Sequence, residues 1–80
     1  MLEEALEHLV KGIVDHADEV VVRRKEMRRG DLLEVSVHPE DLGRVIGRSG
    51  RTASALRTVV GALAGGGAVR VDIVDTDRTR

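Results

Sequence analysis

The pattern of apolar and polar residues divides the chain into six segments, each with a helical or a strand periodicity. Where apolar residues recur every three or four positions, the pattern predicts an amphipathic helix. Where apolar and polar residues alternate and β-branched residues are common, it predicts a half-buried strand. The predicted order is α-β-β-α-α-β, over residues 2 to about 16, 20–27, 33–37, 39–46, 51–64 and 69–74.

This order predicts an α+β fold with a three-stranded mixed sheet that three helices cover on one face. Consecutive strands with a short turn between them form an antiparallel hairpin, whereas a strand followed by two helices returns parallel to its starting strand. The run Gly65-Gly66-Gly67 is expected to end the last helix and reverse the chain. We expect one domain over residues 1–80, ordered from about 2 to 75, with a flexible tail at 76–80.

The composition limits both the core and the chemistry of this 80-residue chain. Hydrophobic residues make up 41% of it, yet none is Phe, Trp or Tyr, so the core must consist of Val, Leu, Ile and Ala. The lack of cysteine excludes disulfides and thiolate metal sites. No apolar run reaches the length of a membrane span, and the N-terminus does not resemble a signal peptide. We therefore expect a cytoplasmic protein without membrane insertion.

Charge is segregated along the chain, although the net charge is only −1. Residues 42–71 contain no acidic side chain and five arginines, and a second basic run occupies residues 23–29 at the tip of the predicted hairpin. A pI near 6.3 argues against indiscriminate binding to nucleic acid but permits a local basic surface. The hairpin charges have two interpretations: protection of an edge strand from aggregation, or an auxiliary RNA-facing patch.

Residues 47–50, which we call the glycine turn, carry the strongest functional signal. Gly47 and Gly50 separate two helical segments, and glycine permits sharp turns and close backbone approach. The helix that follows presents unpaired amides and a partial positive charge. The flanking arginines are Arg44, Arg48, Arg51 and Arg57. Such a turn at a helix N-terminus suits a phosphate backbone.

The stretch Val45-Ile46-Gly47-Arg48-Ser49-Gly50 resembles the GXXG signature of KH domains, an apolar pair followed by the glycine loop. The loop of that family clamps about four single-stranded nucleotides. The element order is similar to the type II KH arrangement over residues 2 to about 75. Within it, Gly50-Arg51-Thr52-Ala53 and Leu56-Arg57 resemble the small, single-domain bacterial KhpA family.

The resemblance implies a residue-by-residue RNA site. Gly47 and Gly50 would let the RNA backbone approach, Arg48 and the loop amides would hold phosphates, and Ser49 would add a hydrogen bond. The other implied contacts are Val45, Ile46 and Ala53 around the bases and Arg44, Arg51 and Arg57 at the periphery. With one module and no aromatic platform, affinity should be weak, on the order of micromolar, with slight sequence preference.

The same resemblance implies partners and a biological setting. It predicts a single-stranded RNA-binding module, an RNA chaperone or post-transcriptional regulator linked to bacterial cell division and elongation. It also predicts a homodimer, a complex with a larger KH protein of the Jag type, or both.

A second apolar stripe on the last helix raises an alternative function. Ala55, Val59 and Ala62 form this stripe beside the predicted core face of Ala53, Leu56, Val60 and Leu63. Either the helix is deeply sandwiched within the domain, or the small residues leave room for a partner helix. The second reading predicts an interface for dimerisation or protein binding, which could be the main role.

The sequence predicts no catalytic activity, no cofactor and no bound metal. His8, His16 and His38 are far apart in sequence and are interpreted as solvated or helix-capping residues without a paired carboxylate. Glu40 and Asp41 are interpreted as acids that complement a helix dipole rather than as metal ligands. Gly50-Arg51-Thr52 lacks the lysine and the upstream glycine of a mononucleotide P-loop.

Overall fold

The computed structural model describes residues 2–65 and 68–74, and its elements follow the predicted order. Helix α1 (Leu2–Lys11) precedes a hairpin of strands β1 (Val21–Met27) and β2 (Gly30–Ser36). Two helices and a last strand follow: α2 (Leu42–Ile46), α3 (Arg51–Leu63) and β3 (Val69–Val74). Short 3₁₀ turns occupy Ala17–Glu19, Pro39–Asp41 and Arg48–Gly50.

The three strands form one mixed sheet in the order β1-β2-β3. Strands β1 and β2 are antiparallel, with Val22 opposite Val35, and β2 and β3 are parallel, with Leu33 opposite Val71. The parallel pair requires the α2–α3 connection to cross over the sheet. The predicted fold class, a three-stranded mixed sheet with three helices, is confirmed.

The core between sheet and helices is purely aliphatic. Leu6 and Val10 of α1 meet Leu33 and Val35 of β2, and all four are fully buried. The remaining core members are Val20, Val37, Val45, Leu56, Val60 and Val71. Methyl and methylene groups therefore supply the burial that aromatic rings provide elsewhere. No helix in the described part of the chain is both long and apolar enough to cross a membrane.

Helix α1 ends at Lys11, about five residues earlier than the periodicity predicts. The Gly12 amide is shared between the carbonyls of His8 and Leu9, and the Ile13 amide bonds to Val10 with 3₁₀ spacing. The next free amides, of Asp15 and His16, bond instead to the carboxylate of Asp41. The predicted helix end near residue 16 was wrong because the side chain of Asp41 accepts hydrogen bonds from the amides that would have extended the helix.

The C-terminal end of α3 agrees with the glycine prediction as far as the structure describes it. Helix α3 ends at Leu63, and Gly65 adopts a left-handed φ of 66° while its amide bonds to the Ala62 carbonyl. Such a glycine commonly ends a helix. Gly66 and Gly67 lie outside the described residues, as does the tail at 76–80 whose flexibility was predicted.

Candidate nucleic-acid interface

The glycine turn is a left-handed connection between α2 and α3. The Gly47 amide closes α2 on the Gly43 carbonyl at 2.8 Å, and the Gly50 amide bonds back to the Gly47 carbonyl at 3.0 Å. Gly47, Ser49 and Gly50 have φ angles of 79°, 56° and 74°. These angles favour glycine at both ends, and Ser49 is the only residue with a side chain in this conformation among the described ones.

The two glycines are required for different reasons. A Cβ on Gly47 would lie only 2.7 Å from both the backbone nitrogen and the Cβ of Thr52. A Cβ on Gly50 would meet no atom within 4 Å. Gly47 therefore lets the turn pack against the start of α3, whereas Gly50 leaves open space on the outer side of the turn. The sequence alone did not separate these two requirements.

The start of α3 has no side-chain cap, although the Arg51 amide bonds to the Arg48 carbonyl. Gly50, the residue that precedes the helix, has no side chain, so no side-chain cap satisfies the first amides. No acidic residue lies in the first turn of α3 to oppose an anion. The amides and the helix dipole thus face the open side of the glycine turn with uncompensated positive potential.

The four arginines beside the glycine turn differ in what they contact. The side chains of Arg48 and Arg51 are exposed and have no ion pair or hydrogen bond within residues 2–65 and 68–74. Arg44 forms an ion pair with Asp15, with an Nη2–Oδ2 distance of 3.2 Å. Arg57 donates from Nε to the carbonyl of Val71 at 3.2 Å, which ties α3 to β3. Arg48 and Arg51 can therefore bind an anion without first breaking a contact, whereas Arg44 and Arg57 cannot.

The apolar residues assigned to the base groove separate into core and surface. Val45 is fully buried and Ala53 is only 4% exposed, so both belong to the core beneath the surface. Ile46 is 39% exposed at the end of α2, directly before Gly47. Among the three, Ile46 is the side chain that a base could contact directly, while Val45 and Ala53 support the surface from below.

The side chain of Asp41 fixes the loop after α1 against the start of α2. Asp41 is 1% exposed, and its oxygens accept hydrogen bonds from the amides of Asp15 (3.3 Å) and His16 (2.9 Å) and from Nδ1 of His16 (2.9 Å). Burial opposes ionisation of Asp41, but the bonds from the His16 amide and imidazole and from the Asp15 amide outweigh it and hold its pKa below the ordinary value. The bond to Asp41 raises the pKa of His16.

The histidine predictions are partly confirmed. His38 caps the 3₁₀ turn, because its Nδ1 accepts the Glu40 amide at 3.0 Å, and His8 is exposed. The prediction that no histidine pairs with a carboxylate was wrong for His16, which bonds to Asp41 and stacks on His38 with ring centroids 3.9 Å apart. A separation of 25 residues left no local signal for this pair.

The apolar stripe on α3 is exposed rather than sandwiched. Ala55, Val59 and Ala62 all face outward, and Val59 is 42% exposed. Leu63, which the periodicity placed in the core, is 56% exposed. Periodicity identifies the inner face of a helix but not how far along the helix the underlying layer extends. We call Ala55, Val59, Ala62 and Leu63 the outer stripe.

The basic hairpin is partly neutralised by its own acids. Arg24 bonds to Asp31, and Lys25 lies 3.4 Å from Glu34. Arg28 and Arg29 are exposed and have no ion pair within the described ranges. Both interpretations, edge protection and an auxiliary RNA-facing patch, stay open.

Comparisons with known proteins give a consistent result. The sequence model of the KH domain of KhpA and KhpB matches residues 3–75. A protein of Streptomyces coelicolor named RNA-binding protein KhpA is 70% identical over 80 residues, which is all of both chains. A protein of the same name from Mycobacterium tuberculosis is 60% identical over 75 residues, 94% of this chain and 92% of the relative.

A more distant relative agrees. The protein of that name from Halalkalibacterium halodurans is 45% identical over 76 residues, 92% of this chain and all of the relative. No solved structure gives a significant match. The relatives are named as binding proteins rather than as enzymes.

Proposed function

Because the chain belongs to the KhpA/KhpB family of KH-domain proteins, we propose that it binds single-stranded RNA at the glycine turn. The observation that carries the proposal is the coincidence at one place of an open left-handed turn, uncapped α3 amides and two unpaired arginines. The names of the relatives support RNA as the ligand.

The proposed RNA contacts use the groups near the glycine turn that have no partner within the described residues. The sugar-phosphate chain approaches the open side of Gly50, where the α3 amides and the side chains of Arg48 and Arg51 bind its phosphates. The Ser49 hydroxyl adds a hydrogen bond, and Ile46 packs against a base. Gly47 holds this arrangement by its packing on Thr52.

The remaining assigned residues contribute less directly. Arg44 must release Asp15 before it can bind a phosphate, and Arg57 must release the Val71 carbonyl. Val45 and Ala53 act by supporting Ile46 and the turn from the core. Few phosphate contacts and no aromatic stacking give weak, salt-sensitive binding with slight sequence preference, on the order of micromolar.

The test compares Arg48→Glu with Arg70→Glu, at an exposed position of β3, in binding to a short single-stranded oligoribonucleotide, measured by fluorescence anisotropy. Both variants change the net charge equally, but only the first alters the glycine turn. Loss of a charged hydrogen bond costs about 1.5–3 kcal/mol, so Arg48→Glu should weaken binding roughly ten-fold or more. Unchanged binding by Arg48→Glu, or an equal loss in both variants, would contradict the assigned site.

A second candidate function is protein interaction through the outer stripe. Two helices with small residues at their contact can approach closely, and Val59 and Leu63 offer the exposed apolar area on α3. The proposed partner is a second copy, a larger KH protein of the Jag type, or both. Dimerisation would also place two weak RNA sites on one strand and raise avidity.

Light scattering of Val59→Glu tests this interface. A buried charge would separate the subunits, whereas Ser54→Glu, at an exposed position of α3 outside the outer stripe, should leave the mass of the wild-type assembly unchanged. An identical mass for Val59→Glu and the wild type would remove the outer stripe as an interface. The roles as RNA chaperone or post-transcriptional regulator, the link to cell division and elongation, and a cytoplasmic location belong to the same proposal and rest on the resemblance alone.

A further inference from the structure

Three metal-binding side chains meet beside Asp41, on the loops that flank the hairpin. His16 follows α1, and His38 and Glu40 precede α2, yet one donor atom from each lies within 4.8 Å of the others. We propose that His16, His38 and Glu40, here called the histidine cluster, bind a divalent transition-metal ion such as Zn²⁺. The proposal does not depend on RNA binding.

The ring of His16 is already oriented as a metal ligand. Its Nδ1 bonds to Oδ2 of the buried Asp41 at 2.9 Å, and Asp41 is itself held by two backbone amides. This leaves Nε2 facing Glu40, with an Nε2–Oε1 distance of 3.9 Å. A carboxylate on the far nitrogen is the usual second-shell partner of a metal-bound histidine, because it fixes the ring and increases its basicity.

His38 shows the same arrangement with its nitrogens exchanged. Its Nδ1 accepts the Glu40 amide, so this nitrogen carries the lone pair, and Nε2 lies 3.9 Å from Oε2 of Glu19. Coordination through Nδ1 would replace the bond from the exposed Glu40 amide, which water can satisfy. The Nε2–H of His38 would then face Glu19, as the Nδ1–H of His16 faces Asp41.

The donor set selects the class of metal. Two imidazoles and one carboxylate are ligands of Zn²⁺, Co²⁺ and Ni²⁺, whereas Mg²⁺ and Ca²⁺ prefer oxygen donors alone. A fourth position stays open to water.

Binding must change the ring geometry in a recognisable way. The rings of His16 and His38 are now stacked at 11°, so their in-plane lone pairs do not point at a common centre. With the His16 ring held by Asp41, rotation of the His38 ring about its side-chain bonds, which its partial exposure permits, would bring Nδ1 of His38 and Nε2 of His16 onto one ion. Loss of the stack is thus a signature that a simple hydrogen-bonded cluster would not show.

The test is a ZnCl₂ titration of the full chain without an affinity tag, followed by calorimetry and by the histidine ring signals in NMR. We expect one Zn²⁺ per chain, with the signals of His16 and His38 shifted and those of His8 unmoved. MgCl₂ should give neither effect. No saturable heat, or shifts that include His8 equally, would overturn the proposal.

Variants assign the ligands. Glu40→Gln and His38→Ala should abolish stoichiometric binding, whereas His8→Ala, which removes an exposed imidazole elsewhere on α1, should not. Asp41→Asn should weaken binding about 10- to 100-fold, as expected for an orienting partner. Because Glu40 is 77% exposed, Glu40→Gln keeps the test valid even if His38→Ala unfolds. Wild-type affinity in Glu40→Gln and His38→Ala would overturn the proposal.

Discussion

Asp41 accepts a hydrogen bond from the backbone amide of His16 at 2.9 Å, across 25 residues of sequence. The bond joins the loop after α1 to the start of α2, and α2 leads after five residues into the glycine turn. A buried carboxylate thereby holds the chain beyond the end of α1 against the start of α2.

Replacement of Asp41 should therefore destabilise the whole domain. In Asp41→Asn the side chain loses its charge and places an NH₂ group opposite backbone and imidazole donors, so the free energy of unfolding should fall in urea denaturation. The amides of residues 15 and 16 should exchange faster with solvent. The matched control is Glu40→Gln, the same chemical change at an exposed neighbour, which should leave both measurements unchanged. Equal effects in the two variants would show that the bonds to Asp41 are unimportant.

The two glycines of the turn should respond differently to alanine. Gly50→Ala places a Cβ in open space and carries only the penalty of a left-handed residue, about 1–2 kcal/mol. Gly47→Ala adds a steric conflict with the backbone of Thr52 and should lower the free energy of unfolding by more. Urea denaturation of both variants measures the difference. A smaller loss for Gly47→Ala would mean that α3 can shift to accommodate the methyl group.

The free and the paired arginines should differ in their effects on RNA affinity. Removing one phosphate contact to a single strand decreases the slope of log K against log salt by about 0.7, which we expect for Arg48→Ala. Arg44→Ala should change the slope less, because Arg44 already pairs with Asp15. Conversely, Asp15→Asn should release Arg44 and tighten binding. Binding by Asp15→Asn at or below the wild-type affinity would contradict this competition.

Two leucines test the corrected boundary of the core. Leu6 is fully buried, and Leu6→Ala should cost about 2–5 kcal/mol of unfolding free energy. Leu63 is 56% exposed, so Leu63→Ala should change the stability of the monomer by less than about 1 kcal/mol. Urea denaturation of both variants, at protein concentrations low enough to prevent association, measures the two losses. A large loss for Leu63→Ala would restore the sequence-based assignment to the core.

The parts of the fold that depend on local pattern were predictable from the sequence. Alternation and β-branched residues located the strands, although β2 begins at Gly30 rather than at Leu33, and the helical crossover predicted the parallel pairing of β2 with β3. The two spaced glycines likewise predicted a turn between helices. These features depend on backbone sterics and on burial of one face, which neighbouring residues determine.

The parts that depend on distant side chains were not predictable. The early end of α1 requires Asp41, and the division of the arginines requires Asp15 to lie beside Arg44, 29 residues away. The stack of His16 on His38 has the same origin. In each case the partner residue comes close only in the folded structure, and the periodicity of the sequence does not indicate it.

The parallel pairing of β2 with β3 also determines when the glycine turn can become rigid. The turn lies in the crossover between these strands, and Arg57 attaches α3 to the carbonyl of Val71 on β3. During synthesis, α2 and α3 emerge before residues 69–74, so no docked third strand yet holds the helices in place. Non-local pairing of this kind forms late and slowly. A ribosome-bound chain that stops before β3 should thus contain every residue of the proposed RNA site without its geometry.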